Sequence, residues 1–247
     1  MPHFAVDLHN HTPASADHRQ RDCVTPGDIV VCALRSGLDV YAATDHLSWR
    51  YATDLISAAE SHAQATGQRL LIVPGTELRL TYRDDEAHVV ALFEPKGHER
   101  RLEALLGILG LVTSHLSDET LPLLTFEYDP VEVCRIIDAL GGIACVAHAD
   151  RWFGSYRLID TALFDRLAEE PTVSAIDLLE PEAHRSRLDG SRATLISCSD
   201  SHACEHIGAR RSVLEMHDLS FSSLRDGLTQ AAGATQADPD YLTLKGS

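Results

Sequence analysis

The chain has 247 residues, 44% of them apolar, and a net charge of −16 with histidine neutral. The length suits one large domain or two small ones, and the apolar fraction is enough for a large core. An acidic excess of this size repels phosphate backbones at long range and argues against broad, sequence-independent nucleic-acid binding.

Taken in order, the chain alternates strand and helix patterns. The N-terminus "MPHFAVDLHNH" has no basic stretch leading into a long apolar one, so no signal peptide is expected. The first strand pattern, "HFAVDLH", ends in His9 and His11 and opens the stretch "VDLHNHTPASADH", which adds Asp17 and His18. "TPGDIVVCALRSG" reads as a helix with a Thr25 cap, Pro26 in its first turn and Gly37 as its stop. "DVYAATDH" is the second strand and ends in Thr44-Asp45-His46. The helix pattern "SWRYATDLISAAESHAQATG" follows it. The third strand, "LLIVPGTE", ends at Glu77 and passes without a helix to the fourth, "HVVALFE". His88 begins that fourth strand, as expected if the strand is antiparallel or displaced by a turn. In the next helix pattern, "GHERRLEALLGILGLVTSHL", the apolar part Leu102 to Val112 is well short of the roughly 20 residues that span a membrane.

The helix "DPVEVCRIIDALGG" leads to the fifth strand, "GIACVAH", which ends in His148 with Asp150 beyond it. After "IDTALFDRLAEE" comes the sixth strand, "AIDLLEP", ending in Glu180. The seventh, "ATLISCSDSH", ends in Asp200 and His202, and "LSFSSLRDGLTQAAG" is the last helix. Residues 1–235 read as a single domain and 236–247 as a C-terminal tail. Near-continuous apolar strands alternating with helices indicate a parallel sheet covered by helices, closed into a barrel or open and doubly wound.

The unusual residues sit at the carboxyl ends of these strands, where parallel α/β folds build their active face. Side chains two apart on a strand point the same way, so His9 and His11 aim at one point, and so do Asp200 and His202. Imidazole with carboxylate is a ligand set for zinc, manganese and iron. Each strand end alone has an ordinary reading: an exposed terminus, a helix cap, a core histidine. The same thing at six strand ends, in a chain with 14 histidines, points to a metal site. The six cysteines show no C-x-x-C pair and read as reduced thiols of a cytoplasmic protein.

These motifs resemble those of the PHP (polymerase and histidinol phosphatase) family of metal-dependent phosphoesterases. "DLHNHT", "TDH", "AHAD" and "SDSH" look like its four motifs in order, and "PGTE" and "HVVAL" are similar to its intervening segments. The resemblance runs from about Asp7 to Gly233 and includes the PHP domains at the front of ATPase-like proteins, although no P-loop follows here. It implies an α/β fold, a distorted seven-stranded (β/α)7 TIM-like barrel. It implies two to three divalent ions, Zn2+, Mn2+ or Fe2+. His9, His11, Glu77 and Asp200 would surround one ion. Glu77 would bridge to a second, held also by His88 and His148. A third would take Asp17, His46 and His202. Family members place an acid or a histidine near Asp17, and His18 is adjacent.

The function so implied is hydrolysis of a phosphate ester by a metal-bridging hydroxide in a trinuclear site, with Glu77, Asp200 and His202 as catalytic residues. The substrate is a small phosphorylated metabolite or nucleotide. The alternatives are exonuclease or phosphodiesterase action on short oligonucleotides, and a non-catalytic regulatory PHP module. An amidohydrolase is disfavoured because that class often carries a carboxylated lysine at a strand end, lysines are very few here and the strand-end bridging position is Glu77. No membrane association is expected, and protein partners are not readable. Arg151 and Arg211 are candidate phosphate donors, with Arg210 beside them, and Glu180 is a candidate pocket residue. His206 is a candidate leaving-group acid. Asp7, Asp45 and Asp150 are candidates to orient the metal-binding imidazoles. The stretch "RWFGSYR", Arg151 to Arg157, is the one place where basic and aromatic residues interleave.

Overall fold

The computed structural model describes residues 1–111 and 125–231. All seven expected strands are present: β1 (His3–Asp7), β2 (Val40–Ala43), β3 (Leu71–Tyr82), β4 (Asp85–Leu92), β6 (Ile143–Val146), β7 (Val173–Asp177) and β8 (Thr194–Ile196). Two further strands raise the sheet to nine, β5 (Phe126–Glu127) and β9 (Ser212–Glu215). Both are short, and β9 follows two arginines that conceal its alternation.

The sheet runs β8-β7-β6-β4-β3-β2-β1-β9, with β5 added to β3. Neighbours in the β1-β2-β3 and β6-β7-β8 arms are parallel. β4 is antiparallel to both β3 and β6, which joins the arms by a hairpin where a helical crossover would otherwise stand. The ring nearly closes. Beyond the named strands, Asn10 and Ser201 form a parallel bridge, and the β8 end is tied to β9 by Ser197 N–H donating to Ser212 Oγ at 2.8 Å. The result is a barrel-like mixed α/β sheet, distorted by the reversed β4 and by β9 lying antiparallel on β1.

The helices form where their caps predict. α1 (Pro26–Arg35) begins with a capping box in which Thr25 and Asp28 satisfy each other's end groups. α2 (Arg50–Thr66) stops at Gly67 in the left-handed region. α3 (His98–Ile108) ends before the expected apolar stretch does, and that stretch from residue 112 lies outside the described residues, as does the expected boundary at 235. α4 (Pro130–Ala139), α5 (Ala162–Glu169) and α7 (Phe221–Gln230) complete the outer layer, with a one-turn helix, α6 (Pro181–His184), after β7.

β2 and β6 are buried along their whole length, as strands covered on both faces must be. The interior packs Val6, Leu8, Val90, Cys145 and Ile196 among others, and a second layer around Phe93, Leu105, Ile137 and Phe164 lies under α3, α4 and α5. β3 and β4 approach each other very closely at Gly75, where an added Cβ would lie 2.6 Å from the Ala91 carbonyl oxygen. That approach sets the register two residues before Glu77.

Candidate metal centre

Every expected ligand reaches one end of the barrel. Glu77 lies in the middle of β3, opposite Val90, so His88 on β4 is its diagonal neighbour on the same face. The Glu77 carboxylate is buried and divides the site in two. Its Oε2 faces His9 Nε2 at 3.2 Å, His11 Nε2 at 3.2 Å and His46 Nδ1 at 3.4 Å. Its Oε1 faces His88 Nδ1 at 2.7 Å and His148 Nε2 at 3.3 Å. Asp200 Oδ1 closes the first group, 3.5 Å from His9 Nε2 and 3.2 Å from His11 Nε2.

The rim carries the rest. Asp17 Oδ2 is 3.1 Å from His202 Nε2 and 3.8 Å from His46 Nε2. Of the two alternatives in that loop, Asp17 faces the histidines, whereas His18 Nδ1 accepts from Gln20 N–H at 3.2 Å. Sets of three donor groups lie close enough to share an ion: His9-Glu77-His148, His9-His11-Asp200, His11-His46-Glu77 and His11-Asp17-His202. His88 stands outside these sets, with Nε2 3.0 Å from Glu86 Oε1, so each of its nitrogens meets a carboxylate.

The donor set fits divalent ions. His9 Nε2 and His11 Nε2 are buried and make no hydrogen bond, which is costly for an imidazole nitrogen that nothing coordinates. Ligand atoms about 2.1 Å from a common ion at tetrahedral angles sit about 3.4 Å apart, and the separations around Glu77 and Asp200 are of that size. Backbone strain collects here as well. His148 and Asp200 hold φ at 29° and 49°, and Leu47, directly after His46, holds 52°. Non-glycine residues rarely adopt this region, and such strain clusters at functional sites.

The charges are as unusual as the geometry. Burial opposes charge on Glu77, but the surrounding imidazoles hold it well below the usual carboxylate range. Asp200 is likewise lowered, by His9 and His11 against its own burial. Burial works against the charged forms of His9, His11 and His88, yet carboxylates win: Glu77 and Asp200 raise His9 and His11, and Glu77 with Glu86 raises His88 to about 9. Burial dominates at His46 and His148, which fall to about 4.

Buried carboxylates hold the ligand loops. Asp7 accepts from Ser199 N–H, Ser199 Oγ and Gly208 N–H. Burial nevertheless raises its pKa to about 6. Asp45 accepts from Thr12 N–H at 2.7 Å and Thr12 Oγ1 at 2.6 Å, and Asp150 from Leu179 and Glu180 N–H at 2.7 and 2.9 Å. These three were expected to orient imidazoles, and they fix backbone instead. Two carboxylates went unread in the sequence. Asp177, ending β7, takes His148 N–H at 3.1 Å and Cys198 N–H at 2.8 Å, and burial raises it to about 7. Glu86 is two residues before His88 on β4, so parity alone puts it on the same face.

Beside His202 opens a cleft of about 460 Å³ lined by Asp17, Arg19, Arg151, Ser199, Asp200, His202, His206, Ala209 and Arg210. Arg151 NH1 donates to Asp200 Oδ2 at 2.6 Å. Two expected pocket residues lie elsewhere. Arg211 turns away and donates to the Ser36 carbonyl at the end of α1, and Arg210 takes the cleft position. Glu180 is exposed, and the contribution of that strand end is its N–H to Asp150. Arg210 and Arg211 lie in a loop before β9, where no strand parity fixes which of them turns inward.

No profile of a known family matches the sequence. The 5′-3′ exoribonuclease Rnm of Escherichia coli is 33% identical over 86 residues, which are 35% of this chain and 26% of that protein. Among solved structures, the lesion-specific endonuclease Q of Pyrococcus furiosus superposes with a TM-score of 0.65 at 15% identity, over 94% of this chain and 57% of that one. A proposed metal-dependent phosphoesterase from Bifidobacterium adolescentis gives 0.57 at 17% identity, over 92% of this chain and 96% of its own. The chain thus spans about a quarter of the exoribonuclease and little more than half of the endonuclease. The fold it shares with these proteins is a barrel-like mixed α/β sheet, as expected in outline, with nine strands among the described residues where seven were expected.

Proposed function

We propose that the chain is a PHP-type hydrolase that cleaves phosphate esters with two to three divalent ions. The observation that carries this is Glu77. One buried carboxylate presents an oxygen to each of two groups of imidazoles, and the Nε2 atoms of His9 and His11 are buried without a hydrogen bond where they face Glu77 and Asp200. His9, His11, Glu77 and Asp200 would hold one ion, Glu77 with His88 and His148 a second, and Asp17, His46 and His202 a third. Bound there, divalent ions supply Lewis acidity and lower the pKa of water toward neutrality.

The chain's own groups do the rest. Arg151, tethered through one nitrogen to Asp200, presents its other N–H groups to phosphate oxygens, and Arg19 and Arg210 line the same cleft. His206 lines the same cleft and is placed to give a proton to the leaving oxygen. Glu77, Asp200 and His202 act by fixing the ions relative to the bound ester.

The substrate reading is a small phosphorylated molecule, above all a nucleotide. Short oligonucleotides are the second reading, favoured by the likeness to a 5′-3′ exoribonuclease and a lesion-specific endonuclease. The net charge of −16 disfavours long duplexes. No helix among the described residues is long and apolar enough to cross a membrane. All six cysteines are free thiols, which suits the reducing cytoplasm.

Elemental analysis with hydrolysis of p-nitrophenyl phosphate and its bis-ester on one sample tests the proposal. Bound metal with turnover supports it, and the preferred ester separates phosphatase from nuclease action. Less than one ion per chain after reconstitution with manganese or zinc sinks it.

A further inference from the structure

The hairpin turn after β6 leaves two large aromatic side chains in water, and one of them, Phe153, lies beside the histidine cluster. Trp152 is 59% exposed and Phe153 43%. Apolar side chains this exposed and adjacent mark a contact surface. The turn is not loose. Phe153 and Tyr156 pair through both backbone hydrogen bonds, at 2.8 and 3.1 Å. Tyr156 Oη donates to the Glu86 carbonyl at 2.8 Å and accepts Glu86 N–H at 3.1 Å, which pins the turn to β4. Gly154 takes the left-handed φ of 64° that the turn requires.

The turn is also aimed at the cluster. Arg151 bonds Asp200, and the Phe153 ring lies 5.4 Å from His88 and 5.6 Å from His148. Trp152 is therefore held between two residues that touch the site. Arg157 stacks on the indole at 4.5 Å and is itself fixed by Asp160, so the indole keeps its orientation while much of it stays open. The cost of exposing these rings is recovered when a flat ring covers them.

Resting on the proposed phosphoester hydrolysis, we infer that Trp152 and Phe153 form a platform for a nucleobase, and that this turn selects base-bearing phosphate esters over base-free ones. Stacking needs only a π face and tolerates any base, which matches a turn whose most exposed side chains are rings. The cationic cleft lies on the Asp200 side of the cluster and the aromatic turn on the His88 and His148 side, so a nucleotide would bridge them across the ligands.

The test compares AMP with ribose 5-phosphate, which keeps the reacting phosphate and lacks the base. On metal-loaded protein, Trp152→Ala should lower the ratio of kcat/KM for AMP over ribose 5-phosphate by about tenfold, and Trp152→Tyr should restore most of it. Phe153→Ala should lower the ratio less. A 5′-phosphorylated tetraadenylate, assayed alongside, shows whether the base belongs to a free nucleotide or to a chain end; a ratio that falls for either one supports the platform. A second readout needs no activity. Trp49→Phe leaves Trp152 as the sole tryptophan, because the chain has two. In EDTA, AMP should quench its fluorescence saturably and ribose 5-phosphate should not. Unchanged ratios in a Trp152→Ala protein that retains its metal overturn the inference and leave the hydrolase reading standing. If the loaded protein hydrolyses nothing, that reading fails and quenching alone decides: AMP quenching upholds the platform, and its absence removes it.

Discussion

The two sides of the site are built differently. Around Glu77, the groups come from strand β3, strand β4 and the first residues beyond β1, β2, β6 and β8, and almost all are buried. At the rim, Asp17, His202, Arg151 and Arg210 come from loops, and Asp17 is 38% exposed. Buried ion pairs lose little to solvent screening and leave a costly orphan when one partner goes, whereas exposed pairs are worth little. On the proposed reading, the buried side would set whether metal binds at all, and the rim would set how many ions bind and which ester is chosen.

The largest effect should come from Glu77→Gln. Removing this charge leaves the imidazoles without their shared anion, so metal and turnover should both fall to background. Without metal, the wild type draws stability from this carboxylate because its folded pKa is depressed. That contribution is present above the unfolded pKa near 4.5 and is lost as pH falls through the lower folded value. Glu77→Gln in EDTA at pH 7 should cost about 3–5 kcal/mol, the cost of breaking a buried pair by removing one partner. A denaturant midpoint unchanged from wild type breaks the contrast between the two sides.

Metal loading should release protons from the buried side. His88 is raised to about 9 and carries a proton at pH 7 in the metal-free protein, and the same buried carboxylates raise His9 and His11. Metals bind only neutral imidazole, so titration with zinc should release at least about one proton per chain. His46 and His148, at about 4, should release none. The raised His88 also has a signature in stability. Its contribution is full below pH 6.5 and is lost as pH rises through about 9, so the metal-free protein should weaken from pH 7 to 9. Calorimetry in two buffers of different ionisation enthalpy counts the protons, and release near zero at pH 7 contradicts the assignment.

The same contrast explains what the sequence disclosed. The candidate ligands were legible because parity and position constrain a strand: His9, His11, His46, His148 and Asp200 follow strand ends, Glu77 and His88 lie within β3 and β4, which run further than the apolar runs suggest, and all reach the cluster. The seven main strands were legible from apolar runs, while β5, β9 and α6 are too short to leave a period. The rim was not legible. Arg210 and Arg211 differ only in which way a loop turns, and Glu180 lies in a helix-cap conformation that points its side chain outward. Asp177 was overlooked because it reads as one more residue of a buried strand, although a carboxylate there has to serve something. It holds His148 and Cys198, so Asp177→Asn should weaken metal binding by about 10–100-fold without abolishing it. Competition with a chelator measures the change.

Asp17→Ala tests the rim itself. It should lower the metal content by one ion at most and leave the metal-free denaturant midpoint within about 0.5 kcal/mol of wild type, as surface substitutions do. Loss of all metal would make Asp17 part of the buried machinery and erase the division.

The smallest effects are those that separate two neighbouring arginines. Arg210 lines the cleft, whereas Arg211 bonds the Ser36 carbonyl at the end of α1. If Arg210 grips the substrate equally in the ground and transition states, Arg210→Ala raises KM several-fold with kcat nearly constant. Arg211→Ala should leave KM within about twofold and cost about 1 kcal/mol of stability, since it removes a hydrogen bond from a charged donor to a helix-terminal carbonyl. The opposite pattern, KM raised by the Arg211 change alone, would mean that the loop after Cys204–His206 rearranges when substrate binds, bringing the second arginine into the cleft in place of the first.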